Sequence, residues 1–191
     1  MAKGILVFNQ KGGSCKTTTA LEIYYSFVRE FAGTNRHVSY VDLDTQDGDQ
    51  SKIVDDAEVS VIDTPGALIS DLSDLIETAD CIVIPTRMTA RDLPVLQSMM
   101  ALADARATGP ILYVLSCWNR FNATRAFQEA FDEFHVEHFC IIPQSEGFAQ
   151  ASAYDCSIVD VYPHSSFPVQ ATISMVNNVR RLIGYPEEKL K

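Results

Sequence analysis

The chain has 191 residues, 47% hydrophobic and 21% charged, which suits one folded domain over residues 1–191 and excludes a chain disordered throughout. Twenty-five acidic against fifteen basic side chains give a net charge of −10, opposing surface-wide attraction to nucleic acid. No apolar run approaches the roughly 18 residues that span a bilayer.

The chain opens MAKGILVFNQKGG. Its apolar stretch, Ile5 to Phe8, is too short for the core of a signal peptide, so the expected location is the cytoplasm. Strands are predicted at Gly4–Asn9, His37–Leu43, Glu58–Asp63, Cys81–Pro85, Ile111–Cys117 and Phe139–Ile142. Most are continuous apolar runs, the pattern of a parallel sheet covered on both faces. Helices are predicted between them. Lys16–Phe31 carries an apolar stripe of Ala20, Leu21, Tyr24, Phe27, Val28 and Phe31. Ile69–Ala79 follows, then Arg91–Ala107 with Thr89 and Asp92 spaced as a capping box. Ala123–Phe134 has Asn122 as its expected N-cap, and Val169–Ile183 ends at Gly184. Alternating strands and helices give an α/β, doubly wound, mostly parallel sheet with helices on both faces. Cys15, Cys81, Cys117, Cys140 and Cys156 form no C-x-x-C pair, so a zinc or iron–sulfur site has little support.

The sharpest local signal is GILVFNQKGGSCKTTTALEIYYSF, an apolar strand, a glycine loop, then Lys-Thr-Thr opening an amphipathic helix. Such an order converges loop N–H groups and a helix N-terminus on phosphate oxygens. Lys16 would neutralise β- and γ-phosphate charge, and the Thr17 hydroxyl would ligate Mg2+. The standard pattern G-x-x-x-x-G-K-[ST] is not met, because Gln10 and Cys15 stand at its glycine positions. Two strand ends add carboxylates. Asp42 and Asp44 lie in HVSYVDLDTQDGDQS, and Asp63 ends the strand before Thr64-Pro65-Gly66. Open α/β sheets place ligands at the carboxyl ends of strands, where Thr17, Asp42 and Asp63 are expected to converge.

The run Lys11-Gly12-Gly13-Ser14-Cys15-Lys16-Thr17-Thr18 resembles the deviant motif K-G-G-x-G-K-[ST] of the ParA/MinD family of P-loop ATPases. The resemblance implies ATP and Mg2+ as ligands, held by Lys11, Gly12, Gly13, Ser14, Cys15, Lys16, Thr17 and Thr18. It implies that Lys11 reaches the phosphates of a partner subunit in an ATP-bound homodimer, as an arginine finger does. The segment from Asp42 resembles the family's D-x-D-P-Q switch, with Thr45 in place of proline and Gln46 retained. Asp44 then orients the attacking water, Asp42 lies near the metal shell, and Asp63 holds the metal through water. Asp47 and Asp49 read as a solvated acidic loop. Eighteen residues separate Asp44 from Asp63, fewer than in typical relatives, so a helix or edge strand is expected to be missing. Ala79–Leu96 resembles the family's A-D-x-x-I-P segment. Ile111–Arg120 resembles the family strand that ends in Asn-Arg, which makes Asn119 an adenine candidate, with Pro143 on the next strand's loop. A buried Asn119 satisfying its own loop backbone is the competing reading.

Cys15 departs from the family's glycine, where backbone approaches phosphate. Slower hydrolysis, altered nucleotide choice and lost binding all stay open. The first is the expectation, because the other motif elements are intact. A redox role for a thiol beside a helix N-terminus and lysines is a further possibility.

By resemblance the protein is a weak, partner-stimulated ATP hydrolase and a dimerisation switch. It would serve plasmid or DNA partition, or cargo positioning, with a ParB-like or cargo adaptor. The alternative is a hydrolysis-impaired, nucleotide-gated scaffold acting as a conjugation or cargo accessory. An amide-forming synthase of the same superfamily is a third class, disfavoured by the short chain. Non-specific DNA binding has only Arg180 and Arg181 as candidates, with Lys189 and Lys191 beside Glu187 and Glu188. Tyr185-Pro186-Glu187-Glu188 interrupts any basic membrane helix, so no membrane anchoring is expected.

Overall fold

The structure, a computed structural model, describes residues 2–44, 50–66 and 72–188. Thr45, Gln46, Asp47, Asp49, Ile69, Lys189 and Lys191 lie outside the described residues. In chain order the elements are β1 (Lys3–Val7), α1 (Lys16–Phe31), β2 (Val38–Asp42), β3 (Val59–Asp63) and α2 (Leu72–Thr78). There follow β4 (Cys81–Arg87), α3 (Leu93–Arg106), β5 (Ile111–Trp118), α4 (Asn122–Asp132) and β6 (Phe139–Pro143). The last helices are α5 (Gly147–Ala153), α6 (Ile158–Val161) and α7 (Phe167–Leu182).

The six strands form one parallel sheet in the order β2-β3-β1-β4-β5-β6. Strand side chains alternate between its two faces. Ile5, Val7, Val59, Val61, Val83, Leu112 and Val114 pack under α1 and α7 with Ile23, Phe27, Val176 and Val179. Leu6, Phe8, Ile82, Ile84, Tyr113 and Leu115 pack on the other face against Leu72, Ile76, Leu96, Met99, Phe127 and Phe131. Burial on both faces explains why the strands read as unbroken apolar runs.

Several expectations shift. The α1 stripe includes Ile23, fully buried, whereas Val28 is exposed. Asn122 is the first residue of α4, and the N-cap position belongs to Phe121. Thr89 and Asp92 make no capping box: Thr89 Oγ1 bonds the Asp92 carboxylate, whose side chain caps nothing. No helix is predicted from sequence over residues 147–161, yet α5 and α6 lie there, α6 opened by a Ser157–Asp160 capping box.

Arg180 is neither a DNA-facing nor a solvated residue. Its side chain is 1% exposed, ion-paired to Glu30, and stacked 4.5 Å from the Phe27 ring centroid. Arg181 is exposed and paired to Glu187 at 2.7 Å. The described residues between β2 and β3 include Lys52, which forms an isolated antiparallel bridge with Tyr40 of β2. No helix among the described residues is long and apolar enough to cross a membrane.

Candidate active site

Strand β1 is central, with β3 on one side and β4 on the other. The chain leaves β1 toward β2 and later returns to β4 across it, so the strand order reverses at the end of β1. A crevice opens at such a switch point. The loop from Asn9 to Cys15 fills it. Asn9 is 2% exposed and anchors the start of the loop: its Nδ2 donates to Pro85 O at 2.8 Å, and its Oδ1 accepts from Lys11 N at 2.9 Å.

Gly13 has φ +71°, a conformation glycine adopts freely. Gly12, Gly13, Thr17 and Thr18 are exposed, while Ser14 and Lys16 are buried. Cys15 precedes α1 at φ 69° and ψ 26°, the left-handed conformation a glycine would supply there. An L-residue pays about 1 kcal/mol for it. The thiol points along the wall, with Sγ 3.6 Å from Cys117 Sγ. The first turn of α1 follows directly, with N–H groups that have no partner inside the helix. Lys16 Nζ donates to Lys11 O at 3.2 Å. Burial lowers the Lys16 pKa, opposed by the charges of Asp63 and Asp44.

The carboxylates converge on this lysine. Val7, Asp63 and Asp42 are in register across β1, β3 and β2, at one level of the sheet edge. Asp63 is fully buried, and Tyr40 donates to its Oδ2 at 3.2 Å. Burial raises its pKa to about 6, against the opposing pull of the Thr17 and Tyr40 hydroxyls and Lys16. Asp42 Oδ1 accepts from Asp44 N at 2.9 Å, which fixes the start of the switch segment. Gly66 presses on the loop: a Cβ there would lie 2.9 Å from Gly12 N and Cα.

Ser14 Oγ, Asp63 Oδ1 and Asp44 Oδ1 are buried without a hydrogen-bond partner among the described residues. Buried polar atoms are ordinarily satisfied, so three around one loop mark a place built for another group. The donor set suits Mg2+, which takes one or two carboxylates, a hydroxyl, phosphate oxygens and waters. No cluster of three or more His, Cys, Asp or Glu side chains that could hold a metal alone occurs among the described residues.

Beside the loop lies a cleft of about 140 Å³, smaller than the roughly 300–1,000 Å³ of most small-molecule sites. Thr18 and Glu22 of α1, Ser116 of β5, Pro143 and Phe148 contribute to its walls. Pro143 lies on that wall. Asn119 is not on that wall. Its Oδ1 accepts from Phe121 N at 3.0 Å and Thr124 Oγ1 at 2.9 Å, and its Nδ2 donates to Cys117 O at 3.3 Å. It serves its own loop. Glu22 accepts from Ser157 Oγ and Ile158 N, at 2.5 and 2.9 Å, and burial raises its pKa to about 6.

Lys11 points away from its own phosphate loop, to Asp92 at the start of α3. Sequence reasoning missed Asn9, Tyr40, Glu22 and Asp92. A polar Asn directly after the apolar run Ile5–Phe8 was the one local signal among them.

No family model matches the sequence, and no curated protein matches it by sequence. Solved structures do match it in fold. The ATP complex of a Cyanothece McdA variant has a TM-score of 0.75 at 14% identity, covering 99% of both chains. A putative plasmid partition protein of Borrelia burgdorferi bound to AMPPNP gives 0.72 at 13%, covering 95% of this chain and 99% of that one. Pyrococcus horikoshii MinD with Mg-ADP gives 0.66 at 17%, covering 96% and 98%. The fold is that of the MinD and plasmid-partition proteins. At these identities the likeness carries the architecture. In that MinD-like fold the loop after β1 and the ends of β2 and β3 are the parts assembled above.

Proposed function

We propose that the protein is a ParA/MinD-type ATPase, one P-loop domain that binds ATP with Mg2+ in the crevice after β1 and dimerises around the nucleotide. The observation that carries this reading is the trio of buried, unpartnered oxygens on Ser14, Asp63 and Asp44 around Lys16. Proteins of the same fold solved with ATP, AMPPNP or Mg-ADP support it.

The loop residues Lys11 to Thr18 receive the phosphates on their N–H groups, the α1 N-terminus and the Lys16 ammonium. Thr17 and Asp63 are the residues that would hold Mg2+, with Asp42 beside them, and the ion would offset the charge on the β- and γ-phosphate oxygens. Asp44 orients water in line with the γ-phosphorus and accepts its proton as the bond to the ADP oxygen breaks. Lys11 leaves Asp92 and completes the partner's site. The base lies in the cleft against Pro143, and Asn119 holds the loop after β5. The work served is partition or positioning of a DNA molecule or other large cargo, with a ParB-like or cargo adaptor stimulating turnover.

Cys15 supports a second reading, a nucleotide-gated scaffold with little hydrolysis, acting as a conjugation or cargo accessory. Its side chain and its left-handed backbone stand directly before Lys16, where the family motif has glycine. Steady-state ATP turnover of the purified protein, with and without DNA and against Asp44→Ala, separates the two. Slow turnover lost in Asp44→Ala supports the ATPase. Binding without turnover in any condition supports the scaffold.

A further inference from the structure

We infer that Cys15 and Cys117 form a dithiol that a hydroperoxide converts to a disulfide, closing the phosphate loop to nucleotide. The consequence for nucleotide rests on the function proposed above; the modification itself does not.

Four observations select this pair. The sulfurs stand 3.6 Å apart although the residues are 102 positions apart in sequence. A disulfide needs about 2.05 Å, so closure requires an approach of about 1.5 Å. Both residues hold positive φ, 69° and 62°, which L side chains rarely adopt. Cys117 sits where the β5–β6 register shifts between Leu115 and Trp118, an irregularity that turns its side chain toward the loop. The two thiols line the same solvent-open cleft. Cys81 and Cys140 are instead packed into the core under α1 and α7, and Cys156 donates to Ala151 O.

Of the two senses the sulfur–sulfur contact allows, donation by the Cys15 thiol favours the thiolate of Cys117. So does the guanidinium of Arg87, whose Cα pairs with Ser116 across β4 and β5. That makes Cys117 the attacking sulfur. Its thiolate takes one oxygen of the hydroperoxide, the O–O bond breaks, and the departing hydroxide is protonated to water. Cys117 is then a sulfenic acid. The Cys15 sulfur gives up its proton and attacks the Cys117 sulfur, the S–O bond breaks, and a second water leaves. Two thiols and one hydrogen peroxide become one disulfide and two waters. The bond would tether the loop residue before Lys16 to the end of β5, pulling the loop out of its anion-binding shape.

The test treats the full-length reduced protein with hydrogen peroxide, maps cysteine-containing peptides without reduction, and measures ATP·Mg2+ affinity before and after. The inference expects a Cys15–Cys117 linked peptide, an ATP affinity lowered about tenfold or more, and recovery of both with dithiothreitol. Cys117→Ser should abolish both responses. Arg87→Met, which leaves both sulfurs in place, should slow disulfide formation about tenfold by reducing the thiolate fraction. Separate sulfinic acids, or a disulfide through Cys156, would overturn the inference. So would a Cys15–Cys117 bond that leaves ATP affinity unchanged. Absence of ATP binding by the reduced protein would instead count against the nucleotide reading, and the peptide map would still decide the modification.

Discussion

Lys11 Nζ lies 2.5 Å from Asp92 Oδ1 within one chain, and the Asp92 side chain is 4% exposed. The residue proposed to act on a partner's phosphates is thus engaged at home. Asp92 is held in turn by the Thr89 hydroxyl, which fixes the carboxylate at the start of α3. Dimerisation has to break this pair before Lys11 can cross. Asp92→Asn removes the charge and keeps a partner for Thr89. With Lys11 36% exposed, each pair is worth about 1 kcal/mol and the homodimer breaks two, so the ATP-dependent dimer of the variant should tighten about 30-fold. Sedimentation equilibrium with ATP and Mg2+, in an Asp44→Ala background, measures this. A weaker dimer would mean that Asp92 helps the assembled state instead.

Gly66 and Gly12 make a second close contact. A methyl at residue 66 would meet backbone atoms of Gly12 at 2.9 Å, so one loop must move. Gly66→Ala should weaken ATP binding about tenfold, roughly 1.4 kcal/mol, while thermal unfolding changes by a few degrees at most. Calorimetry and a melting curve on the same sample read both. Unchanged affinity would show that the contact is slack.

Asp63 predicts a pH-dependent stability. Burial lifts its pKa from the ordinary 3.8 to about 6 in the fold. A folded-state pKa above the unfolded one contributes stability below about pH 4, and that contribution is lost as pH rises through 6. Metal-free protein therefore carries at neutral pH a burial cost of up to about 3 kcal/mol from this carboxylate. Asp63→Asn should raise the melting temperature at pH 7.5 without Mg2+ or nucleotide, and do so about half as much at pH 5. Glu22 titrates in the same range but is present in both proteins, so it cancels in the comparison. An equal loss of stability at both pH values would contradict the assignment.

Arg180 and Arg181 should separate cleanly. Removing a buried, paired arginine leaves Glu30 uncompensated, so Arg180→Ala should cost about 3–5 kcal/mol in urea unfolding. Arg181→Ala, at an exposed pair, should cost less than about 1 kcal/mol. Equal effects would mean that Arg180 is not buried in solution.

The glycine turn between β1 and α1 and the strand-end carboxylates were legible because they are local: a strand, a glycine turn and Lys16-Thr17 follow one another in the chain. The sheet was legible for a related reason, since strands buried on both faces show as apolar runs. Contacts between distant segments left no such trace. Nothing near Lys11 in sequence points to Asp92, and nothing near Cys15 points to Cys117. Arg180 sits in an Arg-Arg pair near a helix end, a pattern that reads as solvated, until Ser26, Phe27 and Glu30 of α1 are placed against it. Asn119 fits either of two roles by sequence, and its three hydrogen bonds within the loop decide where its side chain is spent. The helix α5, Gly-Phe-Ala-Gln-Ala-Ser-Ala, lacks an apolar period and was invisible for that reason.

The central claim is that the loop after β1, with Lys16 and the Asp63 carboxylate, holds a magnesium nucleotide. Isothermal titration of the reduced protein with ATP in the presence of Mg2+ tests it most directly, alongside Lys16→Ala. The account predicts saturable binding of about one nucleotide per chain, lost or weakened at least about a hundredfold in the variant. No heat at millimolar ATP, or equal binding by Lys16→Ala, would contradict it.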